Sequence, residues 1–276
     1  MITAKYQGLK YSEGTFLRVK DYLTVEEALR ISINGEPFTV TMRTPGNDEE
    51  LVRGLLFSED IYKSDENKYS LKVIQKNNLR IPTSVDVKIN PSLLNKQFLN
   101  TRNLLSVSSC GICGKFELDD IRSSGEKISA SSHPSEMLDP EILKNMFGKM
   151  NARQKTFKRS GGSHAAAAFT LRGNLLSVME DIGRHNAVDK VIGSLLLKRK
   201  LKEARYMLVS GRISYEILSK AFLAQIPFLA AVSAPSTLAV DYAKELGITL
   251  MGFCRDGNVT VYSNASNVLK KKSPRP

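Results

Sequence analysis

The segment Ser108-Ser109-Cys110-Gly111-Ile112-Cys113-Gly114-Lys115 has the residue types and spacing most directly suited to chemistry. A Cys-x-x-Cys turn brings two sulfurs together, and flanking glycines leave them accessible. Lys115 is close enough in sequence to favour the thiolate, the nucleophilic form. Three chemistries use this spacing. A zinc site needs about four ligands, and no second Cys-x-x-Cys occurs. His164 or His185 would have to complete it, yet neither begins the His-x-Glu pattern of a deaminase, being followed by Ala165-Ala166 and Asn186-Ala187. A dithiol redox site of the thioredoxin type expects a preceding βαβ unit, for which the upstream sequence gives no pattern. The third option is a nucleophilic thiolate that carries a transferable group such as sulfane sulfur.

The histidines mark a second candidate region. His164 ends the glycine-rich run Gly161-Gly162-Ser163-His164, at the entry to a strand. His185 lies in Glu180-Asp181-Ile182-Gly183-Arg184-His185-Asn186, where Asp181, Arg184 and His185 gather at a strand-to-helix turn and form a candidate functional cluster. His133, in Ser131-Ser132-His133-Pro134, reads as a loop residue. Cys254 follows an apolar strand and reads as a packed thiol.

The elements that must position these groups follow from periodicity. Pro37 to Arg43 alternates as a strand, Thr44-Pro45-Gly46-Asn47 is a turn, and Asn47 is placed to cap a helix. Asp48, Glu49 and Glu50 fill the first turn of that helix, and Leu51, Leu55 and Phe57 are its core candidates. Residues 84–108 read as strand, short loop, strand; residues 120–136 as a loop; and Lys144 to Lys158 as a basic helix. The run 164–171 and Leu175 to Asp181 read as two strands about the Arg172-Gly173-Asn174 turn, although alanines alone favour helix. Asn186 to Lys198 is an amphipathic helix. Strand 206–209, helix 215–225, strand 228–232, helix 237–246 and strand 248–253 then alternate as βαβαβ, the pattern of a parallel sheet covered by helices.

Ligands of such sheets bind beyond the carboxyl ends of the strands. Here those ends are Ser210-Gly211-Arg212, Ser233-Ala234-Pro235-Ser236-Thr237 and Cys254-Arg255-Asp256-Gly257-Asn258. Small residues permit close backbone approach, and two arginines offer bidentate phosphate contacts, so a nucleotide-type ligand is expected.

Composition bounds the class. The 276 residues are 42% hydrophobic and 25% charged, which suits a globular chain and neither disorder nor a disulfide scaffold. No run approaches the ~18 apolar residues of a membrane span, and the first residues lack a secretion signal's apolar core, so a cytoplasmic location is expected. The net charge of +12 is local: the stretches 144–160, 195–205 and 268–276 hold 15 basic residues and one acid, leaving 25 basic and 27 acidic residues elsewhere. Such patches suit a polyanionic ligand or an acidic partner. Nucleic acid is the generic candidate, but no zinc-finger spacing or RNP-type aromatic motif supports it. The tail reads as a solvated end.

Six motifs in order resemble the FdhD family of formate dehydrogenase accessory sulfurtransferases: TPGNDEELVRGLLFSEDI, SSCGICGK, GGSHAAAAFT, EDIGRHNAVDKVIG, SGRISYEI and FCRDGNVTVYS. The resemblance runs from about Met42 to Tyr262. It implies a fold of the α/β class, with a cytidine-deaminase-like C-terminal domain lacking that enzyme's zinc motif and a smaller α+β N-terminal domain. On this basis the chain divides into 1–107, a Cys-x-x-Cys loop and connector 108–136, the domain 137–265 and a basic tail 266–276.

The resemblance also implies that sulfane sulfur is taken from a cysteine desulfurase as a persulfide on Cys110, with Cys113 as helper. That sulfur is passed to molybdenum in the bis(guanine dinucleotide) cofactor, a bound substrate, before the cofactor enters formate dehydrogenase. The family's cofactor-binding segment falls on Phe253, Cys254, Arg255, Asp256, Gly257 and Asn258, and members form homodimers. Ser210, Arg212, Arg184 and His185 are added as cofactor contacts from the strand-end argument. No resident metal, nucleic acid or membrane is expected. The rival readings are a zinc-dependent deaminase, a nucleic-acid-binding module, and a guanine-nucleotide-binding chaperone without sulfur transfer.

Overall fold

A computed structural model describes residues 2–64, 66–95, 127–128 and 138–268. Cys110, Cys113, His133 and the loop expected over 120–136, apart from 127–128, lie outside the described residues.

Strands β1 (Thr3–Ser12) and β2 (Thr15–Thr24) pair as a separate antiparallel hairpin. Strands β3 (Glu27–Ile33), β4 (Glu36–Arg43), β5 (Tyr69–Lys76) and β6 (Pro82–Ile89) form a four-stranded sheet in the order β4-β3-β6-β5. Helix α1 (Asp48–Ser58) covers one face, packing Leu51, Val52 and Leu56 against Leu29, Ile31, Val85 and Val87. The TPGN turn directs the chain from β4 into α1 as expected. Asn47 occupies the N-cap position as expected, but in a left-handed conformation (φ 54°), and its amide donates to the Glu50 carboxylate at 3.1 Å, so its side chain caps no helix N–H. After β6 the chain makes a single turn, Pro91–Leu93, and the second strand expected from the stretch 84–108 falls on residues beyond 95, outside the described residues.

The larger sheet has six strands: β7 (His164–Phe169), β8 (Leu175–Asp181), β9 (Tyr206–Val209), β10 (Phe228–Ala231), β11 (Thr249–Arg255) and β12 (Asn258–Val261). Their order is β12-β11-β10-β9-β7-β8. The expected βαβαβ pattern is present, with β9, β10 and β11 parallel, while β7, β8 and β12 complete the sheet antiparallel. Helices α2 (Pro140–Arg153) and α3 (Lys155–Ser160) precede β7; α4 (Arg184–Leu197), α5 (Tyr215–Leu223) and α6 (Thr237–Leu246) follow it. The expected basic helix is thus two helices, broken at Gln154.

The alanine run is a strand because both of its faces are buried. Ala166 and Ala168 belong to the core formed with α4, α5 and α6, whereas Ala165, Ala167 and Phe169 belong to the core formed with α2. Tertiary burial overrides alanine's helical preference, and the small side chains let helices approach from both sides.

Two glycines join the halves. A β-carbon on Gly54 of α1 would lie 1.9 Å from the Asp189 carbonyl oxygen, and one on Gly193 of α4 would lie 1.8 Å from the Glu50 carbonyl oxygen. The two helices therefore cross backbone to backbone, with no space for a methyl group. Beside the crossing, Lys220 of α5 reaches the buried Asp189 carboxylate at 2.8 Å, and the Ser58 hydroxyl donates to the same carboxylate at 2.8 Å. Gly54→Ala or Gly193→Ala should each lose about 3 kcal/mol or more, because neither backbone can move aside without opening the cores. Urea unfolding measures this, and a loss below about 1 kcal/mol would contradict the crossing.

Candidate functional site

Sheet order brings five chain segments to one end of the large sheet. The parallel strands β9, β10 and β11 finish there, β9 and β10 leading directly into Ser210 and Val232 and β11 ending at Arg255. β7 runs antiparallel to β9 and therefore begins there, at His164; β8, antiparallel to β7, ends there with Asp181 opposite His164.

A cavity of about 850 Å³ opens at this end. One wall is the strand ends: Ser210, Val232, Cys254 and the Arg255–Asn258 turn. The other is α2 with the segment after it, including Lys144, Phe147, Asn151, Gln154 and Phe157, and Gly161 to His164 close the side. The volume suits a nucleotide-sized ligand.

The Arg255–Asn258 turn has a local cause. Asp256 (φ 53°) and Gly257 (φ 79°) both occupy the left-handed region, the conformation that Asp-Gly adopts in a two-residue hairpin turn. The turn folds β12 back onto β11 with Arg255 paired to Asn258. Arg255, Asp256 and Asn258 are exposed on the cavity rim. Phe253 has a positive φ of 53° at the bulge in β11, is 40% exposed and does not line the cavity. Cys254 is packed as expected: burial pushes its thiol up to about 12, and its sulfur contacts the Gly252 carbonyl oxygen at 3.6 Å.

The proposed contacts divide into two groups. Ser210 is on the wall, where its hydroxyl oxygen accepts the Ala165 N–H at 2.9 Å. Arg184, His185 and Arg212 do not line the cavity, and of the three only Arg184 and Arg212 lie near its wall residue His164. Arg184 and Arg212 act electrostatically on His164, and a β-carbon on Gly211 would meet the His164 ring at 3.2 Å. Burial first, then Arg184, holds the His164 imidazole below the ordinary histidine value, against the pull of Asp181. His185 faces α5, with Nε2 at 3.2 Å from the Ser214 hydroxyl and 3.5 Å from the Glu216 carboxylate. Burial, with Arg184 and Lys220 near, lowers its pKa to about 4.

Asp181 is fully buried at the junction of the two halves. It accepts the Thr44 N–H at 3.1 Å, the Gly183 N–H at 2.8 Å and the Asn186 amide at 3.1 Å, and pairs with Lys190 at 2.7 Å. The EDIGRHN motif is therefore largely a joint. The cavity's helical wall, with Lys144, Phe147 and Asn151, is not legible as part of the site in the sequence alone. Its basic character was visible, but the packing face was not. The Asp-Gly pair between alternating apolar residues was the available signal for the hairpin.

Fold and cavity together define an α/β protein with a ligand-sized site at the strand ends of its principal sheet. The FdhD/NarQ family model matches residues 24–269, and the chain belongs to that family. It is similar to the sulfur carrier protein FdhD of Streptomyces coelicolor, at 41% identity over 274 residues, covering 97% of this chain and 96% of that protein. It is also similar to the protein of the same name from Sulfolobus acidocaldarius, at 39% identity over 260 residues, covering 94% and 96%. A crystal structure from Desulfotalea psychrophila, of a candidate formate dehydrogenase accessory protein, shares the fold with a TM-score of 0.74. That likeness covers 98% of this chain and 100% of the other at 19% identity. Among the described residues, no helix is long and apolar enough to cross a membrane.

The pKa of His185 has a consequence for stability. Its folded value, about 4, lies below the ordinary 6.5, so an unfolded chain takes up this proton first as pH falls. Stability held above about pH 6.5 is therefore lost progressively toward pH 4. Between pH 7 and 4.5, wild type should lose more unfolding free energy than His185→Gln in chemical denaturation. Equal losses would contradict the assignment.

Proposed function

We propose that this chain is a sulfur carrier that takes sulfane sulfur from a cysteine desulfurase as a persulfide on Cys110. It passes that sulfur to molybdenum in the bis(guanine dinucleotide) cofactor, before the cofactor enters formate dehydrogenase. The observation that carries the cargo side of this reading is the 850 Å³ cavity, with Arg255, Asn258 and Lys144 on its walls. A bis(guanine dinucleotide) carries several phosphates. Exposed arginine, a hairpin turn and a basic helix beside one cavity supply the complementary charge and hydrogen bonds. The names of the curated relatives, and the accessory-protein structure that shares the fold, support the carrier side.

The chemistry requires a nucleophilic thiol. The Cys110 thiolate attacks the outer sulfur of the desulfurase persulfide; the new S–S bond leaves Cys110 as a persulfide, and the desulfurase cysteine departs as thiolate. At delivery the Cys113 thiolate attacks the inner sulfur. A Cys110–Cys113 disulfide forms, the terminal sulfur leaves as hydrosulfide for the molybdenum, and a thiol reductant later restores the dithiol. Buried Cys254, its thiol raised to about 12, is unsuited to this role. In this reading the protein works as a cytoplasmic homodimer, the large sheet with its helices is a cytidine-deaminase-like domain, and 253–258 is the cofactor-binding segment.

Intact mass after incubation with a cysteine desulfurase and cysteine tests the carrier step. Wild type and Cys113→Ala should gain one reductant-sensitive sulfur, and Cys110→Ala should gain none. Undiminished loading of Cys110→Ala, or no gain in wild type, would overturn it.

A further inference from the structure

The segment between α2 and β7 forms the side of the cavity, and a single carboxylate grips both of its ends. Glu180, the penultimate residue of β8, accepts the backbone N–H of Thr156 at 2.9 Å and of Phe157 at 2.8 Å. The same carboxylate accepts the Ser163 hydroxyl at 2.9 Å. Thr156 and Phe157 open α3; Ser163 closes the loop after it and adjoins His164. Phe157, Ser163 and His164 all line the cavity. Three donors on one carboxylate fix the segment to the sheet at its start and its finish.

Further contacts come from the N-terminal hairpin. The Thr24 and Ser160 hydroxyls lie 2.7 Å apart, and the Arg159 guanidinium stacks over the Tyr22 ring at 3.9 Å. These contacts hold the outer side of α3, whereas Glu180 holds the side toward the sheet. Glu180 also accounts for the break at Gln154, because it takes the Thr156 and Phe157 N–H groups that would otherwise continue α2.

We infer that Glu180 is a positioning residue of the cargo site, setting the cavity wall 156–163 and through it the place of His164. This rests on the proposed reading of the cavity as a guanine-nucleotide site. Charge and geometry agree with it, since the carboxylate is engaged by three donors and does not itself line the cavity. The groups facing His164 are Arg184, Arg212 and Asp181. None of them belongs to α3, so loosening the wall should change the solvation of His164 and leave its charged neighbours in place.

Titration of GDP into the full chain, for wild type, Glu180→Ala and Glu180→Gln, provides the test, with NMR titration of the histidine ring protons beside it. Loss of the carboxylate should weaken GDP binding about tenfold or more in Glu180→Ala. Glu180→Gln, which keeps an acceptor oxygen but turns an amide N–H toward backbone donors, should weaken it at least about threefold. In Glu180→Ala the His164 midpoint should rise toward the ordinary histidine value while His185, held by Ser214 and Glu216, stays fixed. A general loss of structure would move both histidines. Wild-type GDP affinity in either folded variant would overturn the inference. If wild type itself fails to bind GDP, the cavity reading fails, and the His164 titration alone then decides whether Glu180 sets the wall.

Discussion

The buried carboxylate of Asp181 is the constraint on which the arrangement turns. It belongs to the last residue of β8, yet it accepts a backbone N–H from Thr44 of the N-terminal half and pairs with Lys190 of α4. Lys190 returns to the same turn, donating to the Thr44 carbonyl oxygen at 2.9 Å, and Thr44 accepts the Ile182 N–H through its hydroxyl at 3.0 Å. A buried ion pair contributes little net stability against an apolar replacement, but losing one partner leaves an uncompensated charge and is costly. Its value here is register. It fixes the β8–α4 turn against the β4–α1 turn, while the Gly54–Gly193 crossing fixes the two helices that leave those turns.

From that joint the site follows by topology. Once β8 is anchored, its antiparallel partner β7 must begin beside it, and the parallel strands must end at the same edge. Segments as far apart in sequence as Lys144 and Asn258 thereby line one cavity. Glu180 and Asp181, adjacent in sequence, point into different work. One grips the cavity wall and the other the domain joint, as alternation along a strand requires.

Much of this was legible in the sequence where apolar runs are bounded by turn residues. Strand 206–209 and helix 237–246 fall on the residues expected, because each is a short hydrophobic stretch closed by Ser, Gly or Pro. The strand ends marked by small and polar residues include Ser210 and 254–258, which line one cavity. What was not legible depends on distant partners. The break at Gln154 is set by a carboxylate from β8, 26 residues away in sequence. Gly54 and Gly193 appear in sequence only as poor helix formers, and their role emerges when two helices meet. His185 and Arg184 drew attention as a polar cluster, but a polar cluster at a turn serves a joint as readily as a ligand, and only packing separates the two.

The most direct measurement is a crystal structure of the full chain grown with GDP. The diphosphate should lie against the Arg255–Asn258 turn, with Ser210 and His164 on the surrounding wall and the nucleotide inside the cavity between α2 and the strand ends. Nucleotide bound at another surface, with this cavity left to solvent, would contradict the assignment of the cargo site.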